Sequence, residues 1–592
     1  MNRPLPAASV AALVAADPAR ALPMLRQAIL RDENDAPAYR LLGRALRALG
    51  RETEAVLAED EAIRASVHDP ELVAIARALI AGDLPMAEAG LRQRLREQPT
   101  DVAAIRMMAE LAGRIGRYRD AEALLRRALE LAPGFLAARA NLAIVLYKQN
   151  RFADAVGELD AVLAAGGADA GNLNLRAAAL GRTGDYEEAR RIYADLTATF
   201  PAHARLWMSY GHILKTLGEQ AQSVAAYRRA LEIEPGLGEV WWSLANLKTW
   251  RFEDDDVAVM EAALSGKSLP EDDRLHLHFA LGKALEDRGE AAPSFDHYAK
   301  GNRLRRDQLD YEPASASAQV DSVIATFTPE FVAARADAGH PSPEPIFILG
   351  LPRAGSTLIE QILSSHSQIE GTMELPDIPA MAMREAQAAG GHARDWPEAL
   401  AAMPRDRLTD LGAEFLERTR IQRKSGKPFY IDKLPNNWAY LGFIAMILPN
   451  ARIIDARRHP LDCCFSNFRQ HFAKGQPFSY DLEHVGRYYA DYVRAMSHYD
   501  RVQPGHVHRV IHERLLDHPE TEVRWLLDYL GLPFEESCLE FHRNPRAVRT
   551  ASSEQVRRPI NRDGVGQWRP YEDWLEPLKA ALGDLPATYA KV

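Results

Sequence analysis

The residues best suited to chemistry lie in Pro345-Ile-Phe-Ile-Leu-Gly-Leu-Pro-Arg-Ala-Gly-Ser-Thr-Leu-Ile-Glu-Gln-Ile-Leu. Ile346 to Leu349 read as a buried strand, Gly350 to Gly355 as a tight loop, and Leu358, Ile359, Ile362 and Leu363 keep helical spacing. A strand, loop and helix in that order turn the unpaired N–H groups and dipole of the helix onto the loop, which favours an anion there. A nucleotide P-loop would follow its second glycine with lysine and then serine or threonine. Here Ser356 takes the lysine position, which counts against a kinase or ATPase. The cation stands inside the loop, at Arg353, whose planar fork matches a pair of phosphate or sulfate oxygens.

Pro352-Arg-Ala-Gly-Ser-Thr357 resembles the Pro-Arg-(Ser/Ala)-Gly-(Ser/Thr)-Thr loop of sulfotransferases, which binds the 5′-phosphosulfate of 3′-phosphoadenosine 5′-phosphosulfate (PAPS). The resemblance implies that Arg353, Ala354, Gly355, Ser356 and Thr357 contact that group. In tyrosylprotein and related sulfotransferases a glutamate at this distance beyond the loop arginine is the catalytic base, and Glu374 matches it by position. A carboxylate is a reasonable partner for a hydroxyl that must lose its proton while attacking sulfur. Its ordinary pKa of about 4.3 makes proton transfer accompany attack rather than precede it. Glu370, Asp377 and His366 are its neighbouring rivals. The arginines that follow this glutamate in tyrosylprotein enzymes are replaced by Leu375, Pro376 and Ala380, so the pattern for reading acidic peptides is missing.

Two further segments extend the resemblance. Asp432-Lys-Leu-Pro-Asn-Asn437 is similar to the family segment whose lysine contacts the transferring group and the bridging oxygen, which assigns Lys433 to the leaving phosphate. Arg458 and Ser466, eight residues apart behind the apolar run at Ile453, resemble the family's 3′-phosphate site, with Arg457 as the competitor. Anion sites behind two strands suit a nucleotide phosphorylated at both its 3′ and 5′ ends. His512, which replaces the family's usual tyrosine, and Ser552, in the C-terminal loop, are additional candidate nucleotide contacts. Gln567 stands where a basic residue often occurs, leaving Arg557, Arg558 and Arg562 as alternative cations. The resulting scheme uses Arg353, Glu374 and Lys433 in catalysis and no metal.

The elements that must position these residues form, by the same resemblance, an α/β P-loop-like domain over 342–592 with a parallel sheet flanked by helices. Ahead of it the chain is repetitive. Pro99, Pro133, Pro201 and Pro235 fall 34, 68 and 34 residues apart, and Ala121, Ala155, Ala189 and Ser223 keep the same period, as do Trp207 and Trp241. Gly116-Arg-Tyr-Arg-Asp-Ala121 recurs as Asn150-Arg-Phe-Ala-Asp-Ala155 and Gly184-Asp-Tyr-Glu-Glu-Ala189. Such a unit of two helices resembles the tetratricopeptide repeat, which implies an all-α superhelix whose concave side receives a protein or peptide partner. Weaker copies extend the array: Ala55 lies 34 residues before Ala89, Ala89 lies 32 before Ala121, and residues from Phe279 to Tyr298 read as one more helix pair. The array is assigned to 1–305, and Ala314-Ser-Ala-Ser-Ala and His340-Pro-Ser-Pro-Glu-Pro mark a linker over 306–341 with a short helix.

Composition narrows the class. The net charge of −10, with 31 Lys and Arg against 33 Asp and Glu from Pro341 onward, puts the negative excess mostly in the first half of the chain and disfavours nucleic acid. Three cysteines without metal-type spacing suggest neither disulfides nor zinc. No apolar run reaches the roughly 20 residues of a membrane span, and no signal pattern opens the chain, so the expected location is cytoplasmic. The expected activity is transfer of a sulfuryl group from PAPS to a hydroxyl of protein tyrosine, carbohydrate or a small molecule, with the repeats recruiting substrate or partner. A P-loop kinase and a non-catalytic repeat protein with a vestigial nucleotide fold are the alternatives, and retention of both anion sites, the glutamate and the lysine weighs against them.

Overall fold

Small residues set the architecture of the repeats. The computed structural model describes residues 7–248, 250–266, 268–472, 475–548, 550, 553 and 555–591. Contacts divide the chain into two units, Met1–Ala198 and Thr199–Val592. In the first, antiparallel helix pairs such as Val102–Arg114 with Tyr118–Leu131 and Leu136–Lys148 with Phe152–Ala164 cross at alanines that keep no exposed surface. Ala55, Ala87, Ala121, Ala155 and Ala189 hold that position, where a larger side chain would force the helices apart. The buried residue is Ala87, 34 before Ala121, and Ala89 is exposed. The shortened spacing of 32 therefore falls between Ala55 and Ala87, because only Gly82 and Asp83 join Pro70–Ala81 to Leu84–Glu97.

In the second unit serine takes over that position. Ser223 Oγ donates to the Gly211 carbonyl at 2.9 Å, and Ser294 Oγ to that of Gly282 at 2.7 Å. Each glycine leaves room for a tyrosine ring, since a Cβ would meet Tyr227 at 2.6 Å and Tyr298 at 2.8 Å. Glu271–Asp287 and Ala291–Asp307 thus repeat the pair Ala204–Leu217 and Gln220–Ile233, with Gly238–Ala245 between them. Trp207 and Trp241 each donate Nε1 to the carbonyl of the preceding periodic proline, at 3.0 and 2.9 Å.

The same unit contains a five-stranded parallel sheet of β1 (Pro345–Gly350), β2 (Ile369–Gly371), β3 (Phe429–Lys433), β4 (Arg452–Arg457) and β5 (Val507–Ile511), ordered β2-β3-β1-β4-β5. All six residues of β1 are buried, as expected for a central parallel strand covered on both faces. Ile348 pairs with Lys433 on one side and Gly350 with Ala456 on the other. The chain moves from β1 to one flank and then returns to the other, so a crevice opens beyond the C-terminal end of β1, where open α/β sheets bind ligands. Short β2 edges the sheet.

Repeat helices and sheet domain share one apolar core in this unit. Phe295 stacks on Phe468 and Trp574, Asn302 Nδ2 donates to the Phe468 carbonyl at 2.9 Å, and Arg469 pairs with Glu286 at 2.7 Å. The stretch 306–341 holds helix Pro313–Thr326, whose Val320 and Val323 are buried together with Phe327. The Phe327 ring fills the space that Gly442 leaves, where a Cβ would lie 2.4 Å from it. Among the described residues no helix is long and apolar enough to cross a membrane.

Candidate active site

The loop after β1 requires unusual backbone. Arg353 adopts φ +67°, a left-handed conformation rare outside glycine, between Gly350 at +135° and Gly355 at +97°. Both glycines are also needed for space. A Cβ on Gly350 would lie 2.3 Å from the Ala456 carbonyl oxygen of β4, and one on Gly355 would lie 2.6 Å from His512 Nδ1. Helix Ser356–Ser364 starts directly behind the loop. Ala354 turns its methyl into the core and lines neither of the cavities described below.

Two arginines converge at this loop from adjacent strands. Arg353 Nε donates to Ser466 Oγ at 3.0 Å and Nη2 to Gln555 Oε1 at 3.4 Å. Arg458 Nη1 donates to the Arg353 carbonyl at 3.0 Å, and Nη2 to the Gly564 carbonyl. Burial, with Arg458 and Arg469 nearby, pushes the Arg353 pKa down to about 10, so it remains cationic at neutral pH. Burial and the same arginines Arg458 and Arg353 push His512 down to about 3, which leaves a neutral ring. Arg353, Gly355, Ser356, Thr357, Arg458, Ser466 and His512 line one cavity of about 120 Å³ with Gln555 and Arg558. Arg457 serves the core instead, paired with Asp455 at 3.0 Å and bonded to Tyr492 at 3.2 Å.

A larger cavity of about 440 Å³ lies across the loop and shares Arg353, Ser356 and Thr357 with the first. Glu374 and Lys433 line it. Lys433 is 1% exposed and its Nζ donates to Glu374 Oε1, whereas the Glu374 side chain keeps 43% of its surface open. A second carboxylate, Glu360, stands 3.9 Å from the ammonium and pairs with Arg546 at 2.8 Å. The rivals of Glu374 are committed elsewhere. Glu370 accepts the Lys424 and Ser425 N–H groups, Asp377 pairs with Arg418 at 2.8 Å, and buried His366 reaches the Pro533 carbonyl at 2.9 Å.

The cavity also holds residues that the motifs do not indicate. His212, Lys215, Thr216 and Asn246, all from the repeats, line it together with Phe472 and Val548. Positions 212, 215 and 216 share one face of helix Ala204–Leu217, yet that spacing says nothing about what the face meets. Of the alternative C-terminal cations, Arg558 lines the smaller cavity, Arg562 pairs with Asp517, and Arg557 donates to the Thr216 carbonyl at 3.3 Å. Gln567 lines the smaller cavity and accepts from Arg469 Nη2 at 2.6 Å. Ser552 lies outside the described residues.

Both parts of the chain match known protein families. Residues 345–536 match the Sulfotransferase family model, and residues 7–70, 115–179 and 174–237 match Tetratricopeptide repeat models. An uncharacterized protein of Aquifex aeolicus (strain VF5) is 32% identical over 66% of this chain, and the match spans 52% of that protein's length. Protein-tyrosine sulfotransferase 1 of Danio rerio is 25% identical over 38% of this chain and 65% of its own. The sulfotransferase domain of the Synechococcus PCC 7002 olefin synthase aligns over 43% of this chain and 97% of its own, at 22% identity and a TM-score of 0.32. The chain joins tetratricopeptide repeats to a sulfotransferase-family domain.

Proposed function

We propose that this protein transfers a sulfuryl group from PAPS to a hydroxyl-bearing acceptor. The observation that carries the reading is the convergence of Arg353 and Arg458 in one cavity, separated only by the loop from the Glu374–Lys433 pair. The residues fit a doubly phosphorylated nucleotide: Arg458 Nε is buried without a hydrogen-bond partner among the described residues, a donor that an anionic oxygen would satisfy. In this reading Arg353 and the loop amides hold the 5′-phosphosulfate, while Arg458 and Ser466 hold the 3′-phosphate. His512, being neutral, can approach without adding a third cation.

The transfer breaks the bond between sulfur and the bridging phosphate oxygen and forms one between sulfur and the acceptor oxygen. Glu374 takes the acceptor's proton. Lys433, released from Glu374, offsets the charge gained by the leaving phosphate, where electrostatic stabilisation acts most strongly. Protein tyrosine, carbohydrate and small-molecule hydroxyls all satisfy this chemistry. Because repeat residues form one wall of the larger cavity, the repeats would touch the acceptor as well as recruit a protein or peptide partner.

Calorimetric titration with 3′,5′-bisphosphoadenosine, with ATP and 5′-AMP as controls, tests the nucleotide class. Binding of the bisphosphate alone, lost in Arg458→Ala, is the expected result. Preference for ATP, or no binding, would sink the assignment.

A further inference from the structure

The turn Gln555–Arg557 faces two ways. Gln555 and Val556, with Arg558 just beyond, line the smaller cavity, and Gln555 Oε1 accepts from Arg353 Nη2 at 3.4 Å. Arg557 leaves that cavity and reaches the end of the repeat helix Ala204–Leu217, where Nη2 donates to the Thr216 carbonyl at 3.3 Å. The same carbonyl accepts the Val548 N–H at 3.1 Å. Helix ends leave carbonyls without intrahelical partners, and here two donors from the C-terminal segment meet one of them.

Gly218 makes the approach possible. It ends the helix in the left-handed conformation at φ +87°, and a Cβ there would stand 2.4 Å from Arg557 Cζ and 2.6 Å from Nε. A side chain at position 218 would therefore displace the guanidinium. Arg557 also reaches the Arg546 carbonyl at 3.5 Å, and Arg546 pairs with Glu360, the second carboxylate beside Lys433.

We infer that Arg557 is a positioning residue through which the repeat helix Ala204–Leu217 fixes the wall of the phosphate cavity, so that nucleotide affinity depends on the seat formed by Thr216 and Gly218. In the identity of its ligand the inference rests on the function proposed above. The repeats then do more than recruit: their helix end holds the residues that meet Arg353.

The test uses the full chain with Arg557→Ala, Gly218→Ala, the double variant and Gly289→Ala. Gly289 has a similar left-handed conformation, φ +79°, at the end of Glu271–Asp287, with nothing within 4 Å of a Cβ, so its variant controls for backbone strain alone. Calorimetry with 3′,5′-bisphosphoadenosine should show affinity about tenfold weaker in each of Arg557→Ala and Gly218→Ala, no further loss in the double variant, and no change in Gly289→Ala. Amide hydrogen exchange should rise over 555–558 in the two variants while β1 and β4 keep their protection. Unaltered affinity, or losses that multiply in the double variant, would overturn the inference. Should the wild-type chain fail to bind the bisphosphate, the nucleotide reading falls and exchange alone decides: unchanged protection over 555–558 would then refute the positioning role of Arg557.

Discussion

In the smaller cavity every lining residue comes from Arg353 or later in the chain, whereas across the loop His212, Lys215, Thr216 and Asn246 join the wall from the repeats. The smaller cavity is suited to anions: Arg353 and Arg458 lie side by side, and bound negative charge would relieve their mutual repulsion. The larger one mixes a buried lysine, a half-open carboxylate and neutral polar groups, a set suited to moving a proton and holding a polar acceptor. Recognition of a common donor can stay within one domain, but recognition of an acceptor draws on whatever surface the chain adds.

The sharpest way to break the comparison is Glu374→Gln, which removes the proposed base on one side only. Turnover should fall about 10²–10⁴-fold, the usual contribution of a positioned general base, while calorimetric affinity for the bisphosphate stays within about twofold. Equal loss of both would show that the two cavities are not separable. Next in size, Arg353→Ala should weaken the bisphosphate by about 1.5–3 kcal/mol, the worth of a hydrogen bond to a charged group. Its effect on turnover should exceed its effect on affinity, because Arg353 lines both cavities.

A smaller effect is expected at the repeat wall. Asn246 Oδ1 is buried without a partner among the described residues, and Asn246→Leu removes a polar group that an acceptor donor could meet. With an acceptor found by sulfate-transfer screening, KM for that acceptor should rise several-fold while bisphosphate affinity holds; a fall in bisphosphate affinity alone would place Asn246 on the wrong side of the comparison. The smallest effect concerns acid. His512 has a folded pKa of about 3, below the ordinary value of about 6.5, so the unfolded chain binds the extra proton between those values. Its contribution to stability is intact above about pH 6.5 and is lost progressively as pH falls toward 3. His512→Asn should flatten that part of the stability curve, read by denaturant unfolding at pH 7, 5.5 and 4; a curve of unchanged slope would show that His512 is not held neutral.

The motifs were legible because each is local. Gly350, Arg353 and Gly355 specify the unusual backbone of the loop, and a single strand-loop-helix element carries the candidate anion site with it. The period of 34 likewise shows in the sequence because every crossing needs a small residue, although Ala89 stood in for Ala87 where a two-residue turn shortened one unit. The choice of Arg458 over Arg457 rested on the motif interval alone: adjacent residues at a strand end point to opposite faces, and only the packing of Tyr492 and Asp455 shows that Arg457 belongs to the core. The partners of the rivals of Glu374 are likewise distant in sequence, such as Arg418 and the N–H groups of Lys424 and Ser425.

Sequence alone thus determined what depends on residues within a few turns of each other: the repeat, the loop, the strand behind each arginine and the candidate base. Tertiary structure decided which surfaces meet. Nothing near His212, Lys215 or Asn246 in the chain distinguishes a face turned to solvent from one that lines a cavity with Glu374, because that depends on how Phe295 and Asn302 seat the repeats against Phe468. The same is true of Arg557, whose role follows from a helix end more than 300 residues away.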